Sequence, residues 1–188
     1  HDFLPQLIAA GASLVIVSDE AKARAALDQL AGETPAQRHA GGGVAAILVV
    51  DDVIAALQQL AVSYREVLRD AETLVIAVVG SNGKTTTRHL IHTVLSARFT
   101  GTQSPKSFNN HIGVPITLMA GRTADDFVVV EVGSNHPGEI AALARIVRPD
   151  VLVLTSIGRE HMEFFKTLAG VAERQTRGTG NRDLALTG

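Results

Sequence analysis

The chain has 188 residues, a net charge of −2 and 46% hydrophobic residues, with 4% aromatics, no Trp and no Cys. That balance excludes a dominant nucleic-acid footprint, and the missing Cys excludes disulfides and thiolate metal sites. The apolar runs fall far short of the ~20 residues that span a bilayer, and the opening "HDFLPQ" has no signal-peptide character. A soluble, cytoplasmic, monomeric α/β protein is expected, with no nucleic-acid partner and no membrane insertion.

In chain order, "FLPQLIAAGA" (3–12) reads as a short helix ended by Gly11, and "SLVIV" (13–17) as a strand. Residues 19–32 form a helical pattern with an acidic start and Gly32 past its end. Pro and three consecutive Gly make 33–43 a loop before a second strand, "VAAILVV" (44–50). A helix is expected over 52–68, with Ile54, Leu57, Leu60 and Ala61 on one face. The charged break "RDAET" (69–73) suggests a domain boundary near residue 71.

"LVIAVV" (74–79) is apolar on both faces, as a central parallel strand covered on both sides must be. A helix follows over 84–97, with Leu90, Ile91, Val94 and Leu95 as its expected buried stripe. Strands are expected at 127–132 and 151–157, and a helix at 137–147 that opens with Pro. The alternation predicts two α/β units, residues 1–70 and 74–173, then an irregular tail at 174–188. Three clear strands after residue 73 are few for a doubly wound sheet, so truncation is expected.

The turn between 79 and 84 carries the chemistry. In "GSNGKTT", Gly80, Ser81, Asn82 and Gly83 form a glycine-rich loop, and Lys84, Thr85 and Thr86 open the next helix. Glycines let the backbone approach phosphates, and the helix aims N–H groups and the positive end of its dipole at the anion. Lys84 has the reach for β- and γ-phosphates, and the Thr85 hydroxyl suits Mg²⁺. The usual spacing asks for Gly at position 78, which is Val; the other reading is a plain strand–helix turn with a surface lysine. Glu131 ends an apolar strand, where a carboxylate is costly unless paired or metal-bound; a solvated strand end is its alternative. His161 follows the last strand, at the sheet edge where ligands bind in such folds, or is a simple loop residue. Asn109, Asn110, Asn135 and His136 lie beside Gly or Pro, and are either turn formers or donors near the site.

"GSNGKTT", "SFNNHIGVPITL" (107–118), "VVVEVGSNHPGEI" (128–140) and "SIGREHMEFFKTLAGVAE" (156–173) occur in the order of the Mur ligase motifs. The chain resembles that family over nearly all of residues 1–173. The resemblance implies a partial N-terminal UDP-substrate-binding domain at 1–70 and a partial central P-loop-type ATP-binding domain at 74–173. It implies ATP and Mg²⁺ as cofactors, with Thr85, Glu131 and His161 as metal ligands. Lys84, Asn109, Asn110, Asn135 and His136 would then lie near the reacting groups.

"GSNHPGEI" and "FNNHIGVP" are most similar to the branch that adds D-alanyl-D-alanine to a UDP-N-acetylmuramoyl peptide through an acyl phosphate. That implies a ligase of peptidoglycan synthesis, with both compounds as substrates. The alternatives are another Mur-type ligase with a different acceptor, including folylpolyglutamate and cyanophycin synthetases, or a non-catalytic nucleotide-binding module. The family's carbamylated lysine is not matched, since Glu173, Arg174 and Gln175 stand there. The acceptor domain is also missing from the motif order, so the chain alone is expected to be inactive. The "SPK" stretch (104–106) before the Asn pair is expected to touch the UDP-sugar.

Overall fold

The computed structural model describes residues 4–31, 46–133 and 139–156. The expected loop at 33–43, the tail at 174–188, and Asn135, His136 and His161 lie outside the described residues. The chain divides into two compact units, 1–56 and 57–188.

The first unit begins with α1 (Leu4–Ala9), which ends before Gly11 at φ 84°. β1 (Leu14–Val17), α2 (Glu20–Ala31) and β2 (Ala46–Val49) follow. Asp19 accepts the Lys22 N–H at 3.0 Å and so caps α2. β1 and β2 pair in parallel, Leu14 opposite Ala46. Leu4, Val15, Val17 and Ala23 form the core of this unit.

Helix α3 (Val53–Asp70) carries the chain across the division. The division lies after Ala56 and not near residue 71, for a packing reason. Ala61 and Leu68 are wholly buried in the core that also holds Val75 and Val128 of the second unit. The buried face is Ala61, Arg65 and Leu68, whereas Ile54 and Leu60 are exposed. Of the face expected from periodicity, Ala61 is buried and Leu57 partly so, while Arg65 takes a buried place that the pattern did not mark.

The second unit contains β3 (Leu74–Val79), α4 (Lys84–Leu95), β4 (Gly101–Gln103), α5 (Gly113–Ala120), β5 (Phe127–Glu131), α6 (Glu139–Val147) and β6 (Val151–Leu154). Among the described residues its strands are all parallel, in the order β4-β5-β3-β6. The sheet is covered on both faces, as the apolar strands require. Val75, Ala77, Val79, Val128 and Val130 share one core cluster with residues of α3, α5 and α6. Ile76, Val78, Phe127 and Val129 share another, against which Ile91 and Leu95 of α4 pack. Alternation along β3 thus sends odd and even residues to different helices. On α4 the expected stripe is corrected: Leu90 and Val94 are exposed, while Arg88 is buried.

β4 and α5 were not expected. β4 is three residues, Gly-Thr-Gln, with no apolar signal. In α5, Val114, Pro115, Thr117 and Leu118 are all buried, so no polar face marks a helical period. At the amino edge of the sheet, Asp150 accepts from Val75 N and from Arg65 Nη2, each at 2.8 Å. Arg65 Nε also donates to the Val147 carbonyl at 3.0 Å, closing the end of α6. Burial pushes the Arg65 guanidinium below its ordinary pKa, against the opposing pull of Asp150. Among the described residues no helix is long and apolar enough to cross a membrane.

Candidate active site

The glycine-rich loop joins β3 to α4 as the motif requires. Gly80 has φ 134° and Gly83 has φ 79°, both in the region that L side chains resist. Lys84 is the first residue of α4 and is half-buried. Its ammonium donates to the Gly80 carbonyl at 2.7 Å and to the Ser81 carbonyl at 3.4 Å. The side chain therefore folds over the loop and sets its charge against the loop backbone. Thr85 and Thr86 are exposed in the first turn of α4.

The parallel register sets the strand ends beside this loop. Val78 pairs with Glu131 on β5, and Val79 pairs with Leu154 on β6. Glu131 is 1% exposed, which settles its sequence alternative: it is a buried acid and not a solvated strand end. Asn109 Nδ2 donates to Glu131 Oε1 at 3.0 Å. Arg88 Nε lies 3.4 Å from Glu131 Oε2, and neither of these two atoms makes a hydrogen bond. The Arg88 guanidinium offsets the charge of this strand-end carboxylate, whose Oε2 still has its hydrogen-bonding capacity unused. Among the described residues no group of three or more His, Asp or Glu stands ready for a metal ion. A cation held by Glu131 and Thr85 would take its other oxygens from phosphate and water. Mg²⁺ prefers such a set, one or two carboxylates plus substrate phosphates, so the residues present fit it.

The two asparagines have different work. The Asn109 carbonyl accepts the Gly133 N–H at 2.8 Å, and a Cβ on Gly133 would lie 2.8 Å from Asn109 Nδ2. Asn109 thus locks the loop after β4 onto the end of β5. Asn110 Oδ1 accepts from the N–H groups of Ile112 and Gly113 at 3.1 and 2.8 Å, at the start of α5. Its carboxamide oxygen follows the turn-forming reading. Ser104 does not fit the expected sugar contact. It is fully buried, and its hydroxyl accepts from Glu131 N at 2.9 Å and from Thr117 Oγ1 at 3.3 Å. It supports the backbone of the acid from behind.

Three residues of this edge escaped sequence reasoning. Arg88 was hidden because a charged residue on a helix reads as solvated. Its one signal is its spacing of four from Lys84, which puts both on one face. Thr155 and Ser156 follow β6 and grip the loop. Thr155 Oγ1 donates to the Asn82 carbonyl at 2.5 Å and to the Val79 carbonyl at 3.1 Å. Ser156 Oγ accepts from Asn82 N at 2.9 Å, and the Ser156 carbonyl accepts from Ser81 N at 3.2 Å.

The family model described as "Mur ligase middle domain" matches residues 78–177. The UDP-N-acetylmuramoyl-tripeptide–D-alanyl-D-alanine ligase of Bacillus subtilis (strain 168) is 40% identical over 163 residues, which is 87% of this chain and 34% of that protein. The chain therefore spans about a third of the length of the curated relatives it matches. A crystal structure of MurF from Acinetobacter baumannii aligns with TM-score 0.62 and 34% identity, over 91% of this chain and 33% of that one. The MurF ligase of Thermotoga maritima, solved in complex with ADP, aligns with TM-score 0.58 and 27% identity, over 88% of this chain and 39% of that one.

Proposed function

The chain belongs to the Mur ligase family, and from that membership we propose that it works in the ATP-dependent joining of D-alanyl-D-alanine to a UDP-N-acetylmuramoyl-tripeptide. The observation that carries the reading is the carboxyl edge of the second unit's sheet. There a strand–Gly-loop–helix holds Lys84 over its own backbone, and the neighbouring strand ends in the buried acid Glu131.

A carboxylate is a poor acyl donor, so the peptide carboxylate first takes the γ-phosphoryl group of ATP. The acyl phosphate so formed is attacked by the dipeptide amine, and phosphate leaves. The N–H groups that open α4 and the Lys84 ammonium bind the triphosphate and stabilise the charge that moves during transfer. Thr85, Glu131 and His161 would hold Mg²⁺, which would supply positive charge against the oxygens of the triphosphate. Asn109 keeps the Glu131 carboxylate in place, and Asn110 fixes the turn beside it. Asn135 and His136 lie toward the peptide substrate in this reading. The first unit takes the uridine part of that substrate. The reading includes a cytoplasmic monomer acting in peptidoglycan synthesis, and through it in cell shape and division.

The test is a ligation assay on the product of the gene that encodes this sequence. With ATP, Mg²⁺, UDP-N-acetylmuramoyl-tripeptide and D-alanyl-D-alanine it is expected to release phosphate and form the pentapeptide. Phosphate release with a single amino acid such as lysine or diaminopimelate, and none with D-alanyl-D-alanine, would assign it to another branch of the family.

A further inference from the structure

The two glycines of the phosphate loop are required for different reasons. A Cβ on Gly83 would meet only Thr155 Cβ, at 3.9 Å, which is ordinary contact. A Cβ on Gly80 would lie 2.3 Å from Thr155 Oγ1, 2.8 Å from Ser156 N and 2.9 Å from Ser156 O. Gly80 therefore makes room for the end of β6, whereas Gly83 answers to backbone conformation alone.

Into that space come hydrogen bonds from two consecutive residues. Thr155 N and Oγ1 both donate to the Val79 carbonyl, at 2.9 and 3.1 Å. Thr155 Oγ1 also reaches the Asn82 carbonyl, and Ser156 takes the N–H groups of Ser81 and Asn82. These partners lie more than 70 residues away in sequence, for example 76 for Thr155 and Val79. A loop with two glycines loses much conformational entropy when it is ordered around a ligand. A brace that fixes the loop beforehand removes that cost from the binding step.

We propose that Thr155 and Ser156 are positioning residues that pre-form the phosphate loop for the triphosphate. The proposal rests on the reading of residues 80–86 as a phosphate cradle and adds a role for the end of β6. Neither residue need touch the nucleotide. Each acts through the shape it imposes on Val79 to Asn82.

The test is calorimetric titration of the full chain with MgATP, comparing wild type with Thr155→Val, Ser156→Ala and Thr155→Ser, with thermal unfolding of each. Thr155→Val keeps the shape and loses the hydroxyl. It is expected to weaken MgATP binding about tenfold, with the unfolding midpoint little changed. Ser156→Ala is expected to act in the same direction, and Thr155→Ser to restore affinity to near wild type. A wild-type chain that binds MgATP while Thr155→Val and Ser156→Ala bind equally well overturns the proposal and leaves the cradle standing. A wild-type chain that binds no MgATP overturns the cradle and the proposal together. Failure of Thr155→Ser to rescue a weakened Thr155→Val also overturns it, because the hydroxyl is then not the active feature.

Discussion

Arg88 on α4 and Glu131 at the end of β5 face each other at 3.4 Å, with side chains 8% and 2% exposed. The pair ties the helix that carries Lys84 and Thr85 to the strand that carries the acid. Breaking a buried ion pair by removing one member leaves a buried charge uncompensated and costs about 3–5 kcal/mol. Arg88→Met is therefore expected to lower the urea unfolding midpoint by a corresponding amount. Adding Glu131→Gln should recover much of the loss, since the stranded charge is then gone. An Arg88→Met chain as stable as wild type would show that the pair contributes nothing.

Acid sensitivity is expected at the opposite edge of the sheet. Burial pushes the Asp125 carboxyl up. Hydrogen bonds from Thr102 Oγ1 at 2.7 Å and from the Arg122 backbone, with the Arg122 charge, outweigh this and hold it below its ordinary 3.8. A lowered folded-state value means that stability is present above the ordinary carboxylate range and is lost as pH falls through the folded value. Asp125→Asn should therefore destabilise the chain at pH 7, by about 1.5–3 kcal/mol for hydrogen bonds to a charged group. The difference should shrink below about pH 4. Thermal melts of both chains across pH 2–7 check this; a constant difference would contradict it.

The loop glycines give a graded prediction. Gly83→Ala meets only backbone strain, of order 1–2 kcal/mol for a left-handed L residue, and should weaken nucleotide binding modestly. Gly80→Ala adds a collision with Thr155 and Ser156 and should abolish binding. Equal affinities for the two variants would show that close packing at Gly80 is unimportant.

The central strand and its loop were legible in the sequence because local rules and tertiary context agree there. β3 spans Leu74–Val79 as its apolar run predicts, and α4 opens at Lys84 directly after the second glycine. Glu131 was legible because an acid ending an apolar strand demands an explanation. What sequence could not show depends on partners distant in the chain. Arg65 sits among apolar helix neighbours, and only Asp150 and the end of α6 explain its burial. α5 escaped because its exposed positions, Ile116 and Ala120, are apolar like its buried ones, so it has no polar period to read. Thr155 and Ser156 resemble any strand end until the parallel register sets them against Gly80.

The grip of residues 80–86 on a triphosphate through Lys84 is the feature from which the proposed ligation follows. Its most direct measurement is calorimetric titration of MgATP into the wild-type chain and into Lys84→Ala, with circular dichroism to confirm the fold. Lys84 is half-buried at the start of α4, and its ammonium donates to the carbonyls of Gly80 and Ser81 in its own loop. Its removal should therefore leave the melting curve nearly unchanged. Saturable binding by wild type, lost in Lys84→Ala at the same fold content, is the result predicted. Equal MgATP affinity in the two chains would show that Lys84 does not hold the triphosphate.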